Sequence, residues 1–423
     1  MENTFLESHN VSRNLNGDGR ADLIAAAPHE GLVHYFENRG DRRFEAGLPL
    51  MTWPTARNLA TGDFNGDGRR DVAVAGRSRG VAIYEGDGQG VFHPGPVAGI
   101  ELHAEDSQWG FRPVYSLETV RPPGGEADQL LVSHANGALC WTLDGNGRVL
   151  HRTALSHQPH ALKFGYLDPN GVPSIVSADK SLGSVEVRSL DAAAWTAGRV
   201  ELEPTLTQTI RIPGAPRDVE MADIDNDGWN DLIVVLRNFD RLLTYRNEEG
   251  TLVPSSEMPV GTSPRELASA DLNGDGLQDF VAINRYSQDV SVLLASAEGT
   301  GFQALDQVYP ESGEVAALEI YDLNRDGRDD VIQIHRASGD VSVRLAAEGG
   351  QLSEPAFYYM GAFPSSVSLR DLNGDGLIDL STANLGREGY VAGSVSIRLG
   401  RDDGNFDPLI NFPTSDGGRI FAI

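Results

Sequence analysis

Six nine-residue segments of the chain place oxygen-bearing side chains at alternate positions of a short loop. In the segment that starts at Asp63, positions 1, 3, 5 and 9 are Asp63, Asn65, Asp67 and Asp71, and position 6 is Gly68. Segments of the same pattern start at Asn14, Asp223, Asp271, Asp322 and Asp371. Such a loop suits Ca²⁺, because this hard cation takes roughly six to eight oxygen ligands and the glycine allows the sharp turn around it. We therefore expect six calcium sites.

The predicted ligands are the side chains at positions 1, 3, 5 and 9 and the backbone carbonyl of position 7. An Asx-rich turn without a metal is the alternative for any single loop. Six copies favour the metal, because turns alone do not require four oxygens at a fixed spacing. The residues concerned are Asn14, Asn16, Asp18, Arg20 and Asp22; Asp63, Asn65, Asp67, Arg69 and Asp71; Asp223, Asp225, Asp227, Trp229 and Asp231; Asp271, Asn273, Asp275, Leu277 and Asp279; Asp322, Asn324, Asp326, Arg328 and Asp330; Asp371, Asn373, Asp375, Leu377 and Asp379.

Each loop is predicted to join two strands. An EF-hand loop has a Glu at position 12 and lies between helices, whereas position 12 here is a residue such as Val74, Val234 or Gln333. Short apolar runs rich in β-branched residues follow position 9, and such runs are typical of buried strands. The loops therefore belong to β structure.

The loops recur every 48 to 51 residues, except for one wide gap between the loops at Asp63 and Asp223. Two degenerate units fill that gap. One keeps the frame over 166–174 with Tyr166 and Ser174 at the outer positions, and the other covers 121–128. Each unit shows the pattern of four short strands, and such repeats predict a β-propeller in which stacked blades bury both faces of each sheet.

These phrases resemble the FG-GAP repeats of integrin α-subunit propellers and the related bacterial VCBS repeats. The likeness covers nearly the whole chain, and its motifs are the Asp-Phe-Asn-Gly-Asp-Gly phrase, the strand after it and a Gly-rich turn before a Phe, as at Gly90 to Phe92. The resemblance implies a calcium-binding propeller. It implies little about activity, because the family includes adhesion proteins, lectins, enzyme-associated modules and polysaccharide lyases. Integrin propellers have seven blades, so seven is the alternative to the eight units counted here.

The predicted architecture is therefore all-β, an eight-bladed propeller in one domain, with the calcium loops between strands 1 and 2 of the four-stranded blades. We expect Arg419–Ile423 to form the inner strand of the first blade and to close the ring; the alternative gives this place to Phe5–Arg13. The approximate blades are 1–50 with 413–423, 51–100, 101–155, 156–212, 213–260, 261–311, 312–361 and 362–412.

The composition limits the possible partners. The formal net charge is −27 over 423 residues, so the chain lacks the basic field that nucleic acid binding needs. We expect no membrane insertion, because no apolar stretch approaches the length of a span. The first residues do not resemble a signal peptide, yet loops of this charge usually need more calcium than resting cytosol offers. An extracellular or periplasmic monomer is the expectation.

Basic residues recur at the blade ends opposite the loops. One set follows the second strand of each blade: Arg77, His134, Lys180, Arg237, Arg285 and Arg336, with Tyr286 beside them. A second set enters the first strand: Arg57, His160, Arg217 and Arg265. A basic ring on an acidic protein would recruit an anion, and guanidinium groups suit carboxylate or sulfate. The alternative is pairing with acids of the same blade, such as Asp240, Asp289 and Asp340.

The expected function is a binding or adhesion module for an anionic polysaccharide or glycoconjugate, with an anionic protein ligand also possible. The long loop Leu385–Gly393 is the best candidate for a mobile lip. No catalytic residue is assigned, because no nucleophile motif is present. The alternative is a lyase acting on a uronate-containing polysaccharide, and its candidate proton acceptors are Tyr286, His134, His160 and His335.

Overall fold

The computed structural model describes most of the chain: residues 12–27, 32–40, 43–52, 56–76, 80–95, 114–121, 127–134, 139–143, 149–154, 159–191, 205–296, 301–305, 309–310, 315–386 and 393–413. These residues form eight antiparallel sheets, each with four strands along its main path. Each sheet is one propeller blade, and blades 1 to 8 follow one another along the chain. The prediction of an all-β, eight-bladed propeller fold is thus confirmed, and the alternative of seven blades is not.

The chain divides into two compact units. Unit 1 contains blades 1, 2, 3 and 8. Their strands are β1 (Ser12–Arg13), β2 (Asp22–Ala27), β3 (Leu32–Gly40), β4 (Arg43–Ala46) and β5 (Leu50–Met51); β6 (Ala56–Gly62), β7 (Asp71–Gly76), β8 (Gly80–Gly86) and β9 (Phe92–Pro94); β10 (Val114–Val120), β11 (Gln129–His134), β12 (Leu139–Leu143) and β13 (Val149–Ala154); and, in blade 8, β31 (Pro364–Arg370), β32 (Asp379–Asn384), β33 (Ser394–Arg398) and β34 (Ile410–Pro413).

Unit 2 contains blades 4 to 7, apart from the last residue of the final strand. Their strands are β14 (Pro159–Tyr166), β15 (Pro173–Asp179), β16 (Ser184–Ser189) and β17 (Thr205–Arg211); β18 (Pro216–Ala222), β19 (Asp231–Leu236), β20 (Arg241–Glu248) and β21 (Thr251–Pro259); β22 (Pro264–Ala270), β23 (Asp279–Asn284), β24 (Asp289–Ala295), β25 (Phe302–Ala304) and β26 (Tyr309–Pro310); and β27 (Val315–Tyr321), β28 (Asp330–His335), β29 (Asp340–Arg344) and β30 (Ala356–Tyr359).

The second strand of each blade carries the core. Every residue of β19, β23, β28 and β32 is buried. In blades 5 and 6, apolar clusters with the blades on either side cover both faces of the sheet. This explains why these strands are continuous apolar runs in most blades, rather than alternating ones. Blade 8 is an exception, since Ser381, Thr382 and Asn384 are buried in β32 and the Asn384 amide donates to Ser394 and Ser396.

The first strand of blade 1 differs from the expectation. Ser12 and Arg13 form β1 and pair with Leu23 and Asp22 of β2. The part of the first strand next to the loop is therefore formed by the residues directly before Asn14, where the C-terminal segment was expected. This agrees with the alternative that Phe5–Arg13 forms this strand. Residues 414–423, with Arg419–Ile423, lie outside the described part of the chain, and so do most residues of Phe5–Arg13.

Blade 8 packs on blade 1 through an aromatic contact. The ring centroid of Phe412, in β34, lies 5.7 Å from that of Phe36 and 6.0 Å from that of Phe44. Leu23 and Val395 belong to the same apolar cluster. The N-terminal and C-terminal blades are therefore joined within unit 1 by side-chain packing.

We expect Phe412→Ala to lower the free energy of unfolding by about 2–3 kcal/mol, less than for a fully buried Phe because the ring is only half-buried. Urea unfolding of the calcium-saturated protein measures the change. Tyr359→Ala is the matched control, since this exposed ring in β30 should cost only about 0.5 kcal/mol. Equal losses in the two variants would contradict the packing role of Phe412.

Candidate functional site

The six loops fold around the carboxylates of their own residues. In the loop at Asp271, the position 1 carboxylate accepts hydrogen bonds from the amides of Gly274 at 2.8 Å and Gly276 at 2.9 Å. The side chains of Asn273 and Asp275 each accept one from the amide two residues further on. The loops at Asp63, Asp322 and Asp371 repeat most of this pattern. The side chains therefore turn towards the inside of the loop.

Positions 4 and 6 require left-handed backbone. Gly276 at position 6 has a φ of 84°, and a Cβ added there would meet nothing within 4 Å. Backbone conformation, not space, thus explains the glycine at this position. Position 4 is more permissive, since Asn226 and Arg325 both adopt a φ of 61° there.

The aspartate at position 9 has a second role that the sequence did not predict. In the loop at Asp271 it is Asp279, which is fully buried and accepts hydrogen bonds from the amides of Leu272 at 3.0 Å and Ala295 at 2.8 Å. One carboxylate thus ties the loop to the third strand of the blade. We call this arrangement the position 9 clamp, and its other members are Asp22, Asp71, Asp231, Asp330 and Asp379.

Burial has a clear electrostatic effect on the clamp. It raises the pKa of Asp279 to about 6, against the lowering effect of the two amide hydrogen bonds. Asp71, Asp231, Asp330 and Asp379 are shifted to about the same value for the same reason. Whether position 9 is also a metal ligand remains a prediction.

Three carboxylates suited to a cation lie together in the loop at Asp223. Ligand oxygens of Asp223, Asp225 and Asp227 all lie within 4.8 Å of one another. Asp225 Oδ1 is buried and has no hydrogen-bond partner within the described part of the chain, and the same holds for Asn14 Oδ1 in the first loop. This donor set fits a hard divalent cation.

Arginine side chains supply positive charge at four of the loops. Position 7 arginines reach the position 5 carboxylates in three of them, through the pairs Arg20–Asp18, Arg69–Asp67 and Arg328–Asp326. In the loop at Asp223, Arg246 of β20 lies 3.0 Å from Asp225. The loops at Asp271 and Asp371 have leucine at position 7, and their position 5 carboxylates accept hydrogen bonds from Asn273 and Asn373 instead.

The two degenerate loops have replaced their carboxylates in different ways. Ser174 stands at position 9 of the loop in blade 4, where its hydroxyl lies 3.0 Å from that of Ser189. In blade 3, Arg121 stands at position 1. Its guanidinium lies 2.5 Å from Asp128 and 3.5 Å from Asp63. Arg121 therefore places a positive charge beside the position 1 carboxylate of the loop in blade 2.

A β-bulge explains the second basic set. In each of seven blades the register shifts at the start of the first strand, and one residue there has no partner across the ladder. Arg57, His160, Arg217 and Arg265 are all such bulge residues. A bulge changes the direction of a side chain. The side chains of Arg57 and His160 lie outside the described part of the structure.

Three predicted basic residues interact in unit 2. Burial, and then the charges of Arg265 and Arg237, lower the pKa of Arg217. Arg237 Nε donates to Ser263 Oγ at 3.1 Å. Of the acids considered as blade-internal partners, Asp240 accepts from the Ser263 amide at 2.7 Å, and Asp289 accepts from Asn284 and Ser287 at 2.8 Å. The three arginines thus lie close together.

The remaining predicted residues are more scattered. Lys180, Arg285 and Arg336 are exposed in the turns after the second strands, and the Arg285 guanidinium lies 5.9 Å from the ring of Tyr286. Arg77 and most of Leu385–Gly393 lie outside the described residues, as does the side chain of His134. His335 is unsuited to the proton-acceptor role considered for a lyase, because it is buried and bonded to Ser342 at 2.8 Å.

An acidic pair beside the three arginines was not predicted. Asp218 and Glu266 follow Arg217 and Arg265 on adjacent strands, and each carboxylate accepts from a backbone amide of the next blade, Leu267 at 3.1 Å and Leu318 at 3.4 Å. Burial and the charge of Asp218 raise the pKa of Glu266 to about 7. Lys163, 3.1 Å from Glu220, partly offsets this shift. In the sequence, this pair could have been found only because each acid directly follows one of the predicted arginines.

Comparison with known proteins agrees with this geometry. The model of the FG-GAP-like repeat family matches residues 14–74, 63–114, 223–282 and 271–333, which together make up half of the chain. The chain therefore belongs to the FG-GAP-like repeat family. No curated protein matches it.

Solved structures share the fold at low sequence identity. Sqt1 of Saccharomyces cerevisiae superposes with a TM-score of 0.59 at 11% identity, over 98% of this chain and 100% of its own. The dihydro-heme d1 dehydrogenase NirN gives 0.58 at 12%, over 99% and 80%. The periplasmic gluconolactonase PpgL of Pseudomonas aeruginosa gives 0.51 at 17%, over 86% and 98%. At these identities the likeness concerns the fold alone.

Among the described residues there is no helix of the length and apolar character needed to span a membrane.

The position 9 clamp predicts a loss of stability that does not depend on metal. Asp279→Ala leaves two buried amides without an acceptor, so with chelator present the free energy of unfolding should fall by roughly 2–6 kcal/mol. Asp275→Ala, at the exposed position 5 of the same loop, should cost less than about 1 kcal/mol under these conditions. Urea unfolding in chelator measures both, and similar losses in the two variants would be evidence against the clamp.

Proposed function

We propose that the protein is a calcium-stabilised binding or adhesion module that works outside the cytoplasm and recognises an anionic polysaccharide or glycoconjugate. The observation that carries the binding part is the grouping of Arg217, Arg237 and Arg265 at the blade ends opposite the loops. Calcium and the anionic ligand occupy opposite ends of the blades in this proposal.

The loop geometry supports calcium. Six loops turn carboxylate and amide oxygens inwards, and Asp225 Oδ1 and Asn14 Oδ1 still lack a hydrogen-bond partner within the described residues. A bound Ca²⁺ would supply the charge that offsets the mutual repulsion of the acids. The side chains of positions 1, 3 and 5 and the carbonyl of position 7 would hold it. An extracytoplasmic setting follows from the calcium supply that such loops need.

Chelation should lower the melting temperature, because a ligand that binds only the native state stabilises it by mass action. Equilibrium dialysis should find about six Ca²⁺ per chain, since two of the eight units lack the ligand set. Asp275→Ala should remove one equivalent. Asp168→Ala is the control in the degenerate loop of blade 4 and should remove none. A stoichiometry near eight, or a melting curve unchanged by chelator, would contradict this.

The loops should also differ in affinity. Those at Asp271 and Asp371 carry leucine at position 7, so no arginine from that position competes for the position 5 carboxylate. We expect them to bind Ca²⁺ most tightly, ahead of the more acidic loop at Asp223, where Arg246 neutralises Asp225. In a calcium titration, Asp275→Ala and Asp375→Ala should remove tight sites, and Asp227→Ala a weaker one.

The arginines support an anionic ligand. A guanidinium group presents two donors to one carboxylate or sulfate. On a protein of net charge −27, a cluster of arginines attracts an anion to one part of the surface. Hydroxyl-rich polymers with regularly spaced carboxylates or sulfates can contact several blades at once. This chemistry favours an acidic polysaccharide.

Binding should depend on these arginines and on salt. The double variant Arg237→Gln/Arg265→Gln should raise the dissociation constant for oligogalacturonate by about 100-fold. This follows from the loss of two charged hydrogen bonds, each worth roughly 1.5 kcal/mol. Affinity should fall as salt shortens the Debye length. Arg241→Gln is the control, because this exposed arginine pairs with Glu257 at 3.0 Å in the same blade. Calorimetry with unchanged affinity in the double variant would refute the site.

The pH dependence has a defined sign. Glu266 has a pKa of about 7 in the folded protein, so it gains a proton as the pH falls through 7 and the charge around the arginines becomes more positive. Oligogalacturonate should therefore bind more tightly at pH 6 than at pH 8, with Glu266→Gln removing most of the difference. Ultraviolet absorbance of an unsaturated uronate product during these titrations would identify a lyase instead of a binding module.

A further inference from the structure

The same contact near the loops joins three pairs of neighbouring blades: blades 2 and 3, 4 and 5, and 6 and 7. The side chain at loop position 8 of one blade bonds to the backbone of loop position 1 in the preceding blade. Asp128 accepts from the Asp63 amide at 2.8 Å, Asp329 accepts from the Asp271 amide at 2.8 Å, and the Asn230 amide donates to the Tyr166 carbonyl at 2.6 Å. We call this contact the position 8 bridge.

The junction between blades 1 and 2 breaks this pattern. Position 8 of the loop in blade 2 is Arg70, and the residue before position 1 in blade 1 is Arg13. The pattern of the other junctions brings these two side chains to the same place. Neither guanidinium group has a hydrogen-bond or ion-pair partner among the residues that the structure describes. Both are half-buried.

A third arginine extends the group. Arg370 is the last residue of β31 in blade 8, at the position equivalent to Arg13. Blade 8 lies against blade 1 here, because the Asn38 side chain donates to both the Ala21 and the Leu372 carbonyls. We call Arg13, Arg70 and Arg370 the arginine row. Burial, followed by the charges of Arg370 and Arg70, lowers the pKa of Arg13 to about 10, so both of these arginines lie near enough to Arg13 to act on its charge.

Like charges in a half-buried place repel one another unless an anion lies between them. Position 8 is Arg70 at this junction, whereas Asp or Asn makes the bridge at three other junctions. An ion that accepts from Arg13 and Arg70 together would restore the missing link between blades 1 and 2. A tetrahedral oxyanion suits this role, since it has enough oxygens for more than one guanidinium fork.

We propose that the arginine row binds an oxyanion with two negative charges, a sulfate or phosphate group, at the loop-bearing ends of blades 8, 1 and 2 in unit 1. This site is separate from the ligand site at the opposite blade ends of unit 2, and it uses none of the same residues. The anion completes the junction between blades 1 and 2 in place of a position 8 bridge.

Calorimetric titration of the calcium-saturated full chain with sodium sulfate tests the site, with sodium chloride at matched ionic strength as the blank. One sulfate should bind per chain. Arg13→Gln/Arg70→Gln should weaken binding by at least about tenfold, because each lost charged hydrogen bond is worth roughly 1.5–3 kcal/mol. Arg39→Gln is the control, since this exposed arginine of blade 1 already pairs with Glu37 and Glu45 and should leave binding unchanged.

Arg70→Asn keeps the test decisive if the double variant folds poorly. Asparagine already makes the bridge at Asn230, so this variant should fold and lose sulfate binding. Sulfate should then raise its melting temperature less than that of Arg39→Gln, which keeps the site. Glucose 6-sulfate, titrated in parallel, separates a free ion from an ester: tighter binding of the ester assigns the site to a sulfated glycan, and tighter binding of the ion assigns it to the inorganic anion.

Three results would overturn the proposal: the absence of saturable sulfate binding by the unmodified protein, equal binding by Arg13→Gln/Arg70→Gln, and loss of sulfate binding in Arg237→Gln/Arg265→Gln. The last result would place the ion at the other blade ends. Because the two double variants are independent, the glycan site and the oxyanion site can fail separately.

Discussion

The buried carboxylate at loop position 9 is the interaction on which the blades depend. A charged group at the start of a fully covered strand is costly to bury, and the fold offsets this cost with two backbone amides, one from the loop and one from the third strand. In doing so, Asp279 and its equivalents close the loop and set its position against the third strand. The oxygens at positions 1, 3 and 5 accept hydrogen bonds from amides of the loop itself, so they are directed inwards.

Charge is arranged differently at the two ends of the blades. At the loops, acids outnumber bases, and arginines such as Arg246 and Arg328 reduce the local repulsion. At the opposite ends, bulges present Arg217 and Arg265, while Asp218 and Glu266 lie directly beside them. Neighbouring opposite charges in a poorly solvated place shift one another's pKa. An anion bound at the proposed site would therefore be held with an affinity that depends on pH, whereas a simple patch of surface arginines would show no such dependence.

The degenerate loops show how the fold tolerates the loss of loop carboxylates. Blade 4 replaces its position 9 aspartate by Ser174, which still meets the third strand through Ser189. Blade 3 replaces its position 1 acid by Arg121, which pairs with Asp128 and Asp63. Hydroxyl and guanidinium groups thus take over contacts that carboxylates make elsewhere. At the junction of blades 1 and 2, position 8 is Arg70, whose charge acts on the half-buried Arg13, and this is the basis of the oxyanion proposal.

The loops, the repeat and the four-strand blades could all be predicted from the amino-acid sequence, because each depends on residues near one another in the chain: ligands within nine positions, turns at fixed glycines, and apolar runs of strand length. The structure was needed for contacts that depend on how strands and blades stack. The third-strand partner of Asp279 lies 16 residues away, Ser12 and Arg13 pair with the second strand next to the loop of blade 1, and Asp218 contacts the next blade 49 residues on. Periodicity can show that such residues exist, but the burial and the neighbours that set their charge arise only when the blades pack together.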